Sequence, residues 1–138
     1  MKAIRSIAQL AVLLASTLCL LITIWIWRSV SAHQNTWPFP ALYFVELMAL
    51  ACLCAVVFLR GSPSQAAIAW ASAGVFTAFS ILGAMTVGLL FFPVALAFLV
   101  GALLADLHAK QNVAAHLIMY LAASVVQTAL MFELACVS

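Results

Sequence analysis

Acidic side chains are scarce in this chain, and one of them, Glu46, lies well inside an apolar run from Trp37 to Arg60. That run is long enough to cross a bilayer. A charged acid held in hydrocarbon costs roughly 3 kcal/mol or more, so it calls for a proton, a cation or hydrogen-bond partners. The chemistry open to Glu46 is that of a protonatable or cation-binding group in a transport path or relay. Two readings compete with it. One is a hydrogen-bonded acid that ties helices together. The other is an acid close enough to the surface to be wet.

Depth along a helix, at about 1.5 Å per residue, selects partners for Glu46. Glu46 sits roughly 10 Å below the end of its helix. Gln127 comes to a similar height when counted from Asn112 at the opposite end. Ser80 and Thr77 on a third helix match it, and Thr23 on the first is slightly higher. The candidate intramembrane polar cluster is therefore Glu46, Gln127, Ser80, Thr77 and Thr23. Arg28 is the nearest basic residue, and its side chain would have to reach down from the interface.

Two polar stripes support inward-facing helix surfaces. His116, Tyr120, Ser124 and Gln127 are spaced by four, four and three residues, which is one face of a helix. Gln9, Ser16 and Thr23 recur every seven residues on another. His116 and Tyr120 lie too far along the axis to reach Glu46 and are read as interface and packing residues.

Other chemistry is hard to place. There is no G-x-S-x-G, H-E-x-x-H or phosphate-binding glycine loop. Asp106 and Glu133 fall at opposite membrane faces, so no acid pair forms. Cys52 and Cys54 make a C-x-C whose side chains diverge on a helix, neither a redox pair nor a zinc pair. With Cys19 and Cys136 they read as small apolar packing residues. His33, His108 and His116 fall in loops or near helix ends, which argues against a buried bis-histidine haem. The expectation is no enzyme, no cofactor and no metal.

The elements that must hold these residues follow from composition. The chain has 138 residues, 69% hydrophobic and 6% charged, with mean hydropathy +1.29. Soluble domains have about 25% charged residues. The solvent for this surface is lipid, and the chain reads as a single integral membrane domain. The net charge of +2 does not suggest nucleic acid, and there is no polybasic run for lipid binding.

The pattern predicts an all-α polytopic bundle of helices at about 6–30, 38–59, 66–85, 89–107 and 113–137. The first carries a signal-peptide-like Val30-Ser31-Ala32. If it were cleaved, four spans would remain. Its apolar stretch is about twice a usual signal core, however, and ends in a Trp25, Trp27, Arg28 belt. Pro38 and Pro40 open the second helix, around which the others are expected to pack. Ser62 or Ser64 is a candidate cap for the third. Gln65 to Leu107 would make one helix of about 60 Å, so it must fold back, near Gly83 to Gly88. Ala97, Gly101, Ala105 and Ala109 form a small-residue ridge, a candidate packing surface for a helix of this or another chain.

Five spans put Lys2, Arg5, Arg60 and Lys110 on one side and Arg28 on the other. The positive-inside rule then places the N-terminus in the cytoplasm and the C-terminus outside. Two functions fit a lipid-embedded chain of this kind. One is an accessory or assembly subunit of a larger membrane complex, bound to other subunits or to itself. The other is a small proton- or cation-coupled transporter or channel component that uses Glu46.

Overall fold

The computed structural model describes residues 2–32, 41–83, 87–110 and 112–137. They form α1 (Lys2–Ser31), α2 (Ala41–Arg60), α3 (Gln65–Leu82), a short 3-10 turn (Gly88–Phe91), α4 (Phe92–Ala109) and α5 (Val113–Val137). All five helices are long and apolar enough to cross a membrane. The chain is a small all-α bundle with the make-up of a multi-pass membrane protein. Pro38, Pro40, Trp37 and His33 lie outside the described residues.

The helix ends follow local chemistry. α2 stops at Arg60 because Gly61 turns left-handed, with φ +66°. Its N–H bonds to the Phe58 carbonyl and the Ser62 N–H to the Val57 carbonyl, each at 3.3 Å. This paired closure satisfies carbonyls that the helix leaves open. α4 ends on Lys110, also left-handed at φ 52°. Ser64 stands at the start of α3, but its side chain makes no capping bond. Its hydroxyl pairs instead with that of Ser62 at 2.9 Å. The fold-back falls between α3 and the 3-10 turn. There the Gly88 N–H donates to the Gly83 carbonyl at 2.7 Å. A Cβ on Gly88 would run into the Gly83 backbone, so this close return needs glycine. α3 ends at Leu82, the expected end at Met85 lying outside the described residues, and α4 proper begins at Phe92, with Pro93 in its first turn where no N–H is needed.

Helices α1 to α4 close a ring in which α1 meets α2 and α4, and α3 meets α2 and α4. α5 packs along the outer side of α3. The central helix is thus α3, not α2 as the sequence suggests. α3 buries Ala66, Ala69, Ala73, Gly74 and Ala78, among others, and small side chains let three neighbours approach at once. A column of rings fills the ring of helices. Phe76 stacks on Phe98 with centroids 5.2 Å apart, and Phe91 meets Phe79 edge-on at 5.3 Å.

The small-residue ridge of α4 packs within the chain. Gly101 is buried, and a Cβ there would strike Val12 of α1. Ala105 is buried too, and Ala97 is half-buried. The stripe of Gln9, Ser16 and Thr23 also faces protein. Gln9 Nε2 donates to the Phe58 carbonyl of α2 at 3.0 Å, and Ser16 and Thr23 are buried.

Candidate functional site: a polar seam along the last helix

α5 presents one polar stripe, and its four members engage three other helices. The spacing of His116, Tyr120, Ser124 and Gln127 keeps them on one face through three turns of helix. That face lies against α3, with α4 at one end and α2 at the other.

Gln127 Nε2 donates to Glu46 Oε2 of α2 at 3.2 Å. Gln127 is buried, and Glu46 is half-buried. Near the middle of the seam the Ser124 hydroxyl lies 3.0 Å from the Gly74 carbonyl and 2.9 Å from its own helix's Tyr120 carbonyl. A Cβ on Gly74 would collide with the Tyr120 carbonyl, so the absence of a side chain there sets how closely α3 and α5 approach. Tyr120 meets Trp70 of α3 edge-on, with centroids 6.1 Å apart.

At the end near the α4–α5 turn, the stripe reaches a second acid. Asp106 is 1% exposed. Its Oδ2 accepts from Trp70 Nε1 at 2.7 Å, and its Oδ1 lies 2.7 Å from His116 Nδ1. Both carboxylate oxygens are thus engaged. Low dielectric strengthens such bonds and makes an unpaired member costly, so the three side chains form a unit. The sequence puts Asp106 at a membrane face and His116 among interface and packing residues. The structure instead turns the last turn of α4 so that Asp106 points back between α3 and α5.

Of the five residues in the expected cluster, hydrogen bonding joins Glu46 and Gln127. Ser80 and Thr77 bond the carbonyls of Phe76 and Ala73, four residues back on their own helix, each at 2.7 Å. Thr23 Oγ1 lies 3.9 Å from Cys19 Sγ, also on its own helix. Serine and threonine hydroxyls in helices satisfy themselves this way without a tertiary partner. Similar depth therefore does not by itself bring hydrogen bonding between these residues. Cys54, by contrast, links two helices, its Sγ 3.1 Å from Ser72 Oγ of α3. Cys52 is exposed, so the two cysteines of the C-x-C do diverge.

Arranged in this way, the seam fixes α5 to three other helices. Among the described residues, no three His, Cys, Asp or Glu side chains group as a metal-binding set. Searches against family models, curated proteins and solved structures found no match to the chain.

Proposed function

We propose that this small multi-pass membrane protein is an accessory or assembly subunit of a larger membrane complex, and that α5 is the helix that meets the partner. One observation carries the reading. Among the described residues of α5, Gln127 alone is buried. The opposite face, with Ile118, Val125 and Phe132 seven residues apart, is exposed. α5 is held by a narrow stripe of polar bonds, while α1 to α4 already close on one another. Helices in lipid associate through packing and hydrogen bonds rather than through the hydrophobic effect, so a helix attached on one stripe is free to pack a second neighbour. The Gly101 ridge, by contrast, is engaged by α1 and is not part of this reading. The same reading keeps the N-terminus in the cytoplasm, with Arg5, Arg60 and Lys110 on that side. Purification of the full chain in mild detergent, followed by mass measurement, tests it. Co-purification of a stoichiometric membrane subunit is expected, and a clean monomer contradicts it.

A second reading rests on Glu46. Its carboxylate is half-buried, accepts from one amide, and has no cation within ion-pair distance among the described residues. That is a setting in which an intramembrane acid takes up and releases a proton or a cation. Glu46→Gln abolishes coupling under this reading and leaves assembly intact.

A further inference from the structure

We propose that the end of the bundle carrying Arg5, Arg60 and Lys110 holds a binding pocket for a phosphate group, either the headgroup of an anionic phospholipid or a free phosphate. A cavity of about 260 Å³ lies there, between the start of α1, the α2–α3 turn and the end of α4. A single water needs roughly 10–15 Å³ measured this way, so the space is that of a polyatomic group. Arg5, Gly61, Ser62, Gln65 and His108 line it.

Two polar atoms in its wall lack partners. Gln65 Oε1 and His108 Nδ1 are buried and make no hydrogen bond. A buried polar atom left unpaired costs free energy that a ligand recovers. The Gln65 amide offers either its oxygen or its NH₂ by turning over, and an imidazole nitrogen carries a proton in one tautomer or in the charged form. The Arg5 guanidinium lies against Gly61, with Nη2 2.6 Å from where a Cβ would stand. Gly61 thus serves twice, by its left-handed turn and by leaving room for the arginine.

The sign of the ligand follows from the charges. Among the described residues no carboxylate lies within ion-pair distance of Arg5. Asp106 is the acid nearest this end, and both its oxygens are already bonded to Trp70 and His116. Glu46 lies farther along the seam, against Gln127. An unpaired guanidinium fork beside an amide and an imidazole matches the oxygens of a phosphate. The sequence hides this site because its parts come from residues 5, 61–65 and 108, and no polybasic run marks it.

The test uses the purified full chain in dodecyl maltoside, a detergent without phosphate. One arm adds phosphatidylglycerol and counts bound lipid by native mass spectrometry. The other adds inorganic phosphate and follows the melting temperature. Saturable one-to-one binding is expected in at least one arm. Lipid alone identifies a headgroup site, phosphate alone a soluble ligand, and both identify the phosphate itself as the recognised group. Arg5→Gln and His108→Gln should each weaken binding roughly tenfold, the size of one charge-assisted or buried hydrogen bond. Arg60→Gln, at the same end but outside the pocket wall, should leave it within about twofold. The proposal is overturned if neither probe saturates, if Arg60→Gln weakens binding as much as Arg5→Gln, or if both pocket variants bind like the wild type.

Discussion

Gln127 is buried beneath an otherwise open helix, and its amide reaches across 3.2 Å to Glu46 on α2. This bond crosses from the outermost helix of the fold to the ring of four that α5 leans on. It gives the acid in the Trp37–Arg60 run a partner, and it gives α5 an anchor near its far end.

The strength of that anchor is measurable. A double-mutant cycle with Glu46→Ala and Gln127→Ala, read by reversible unfolding in lipid, should give a coupling of about 0.6 kcal/mol, and no more than about 1.7 kcal/mol. Glu46→Gln alone should be mild, since an amide still accepts from Gln127. A coupling of zero would show that the two side chains do not meet.

Asp106 should matter more to stability than Glu46. Asp106→Leu strands Trp70 Nε1 and His116 Nδ1 in a buried site and should cost about 2–4 kcal/mol. Trp70→Phe removes one donor and should cost about 1–2 kcal/mol. Thermal unfolding in nanodiscs measures both. The ordering is wrong if Asp106→Leu is as mild as Glu46→Gln.

Gly74 controls the distance between α3 and α5. Gly74→Val should destabilise the fold by about 1–3 kcal/mol through overpacking. The effect should be local, raising the thiol-labelling rate of a cysteine placed at Ala123 on α5 more than one placed at Ala15 on α1. Gly101→Val should show the reverse, because it pushes on Val12. Identical labelling patterns for the two variants would rule out this division of the bundle.

The hydroxyls bonded within their own helices should be nearly silent. Thr77→Val and Ser80→Ala should each change stability by less than about 0.5 kcal/mol, and the pair should leave the Glu46–Gln127 coupling unaltered. A loss above about 1.5 kcal/mol for either would place that hydroxyl in the seam after all.

The legible parts of this fold were those set by one helix at a time. The spacing of His116, Tyr120, Ser124 and Gln127 showed a stripe that faces inward, and the glycines at 83 and 88 showed where the chain turns back. Depth counting paired Gln127 with Glu46 because both sit a known number of turns from a helix end. What depth cannot give is rotation about the helix axis. Ser80 and Thr77 lie at a similar height but bond their own backbone. Asp106 reads as an interface residue because it precedes the Lys110 turn, yet the side of α4 it occupies buries it between α3 and α5. Trp70 carried no signal of its own, since an apolar run with one indole reads as packing. The ridge at Gly101 was visible, but its partner, Val12 of α1, depends on how four helices close into a ring.

The central claim is that the open face of α5 meets another membrane protein subunit. The direct measurement is photo-crosslinking in cells, with a photoreactive residue placed singly at Ile118, Val125 and Phe132 on α5 and, for comparison, at Leu14 and Leu21 on the open face of α1. The expected result is one discrete adduct of constant mass from the three α5 positions and none from the α1 positions. Adducts with lipid alone from all five positions would contradict the claim.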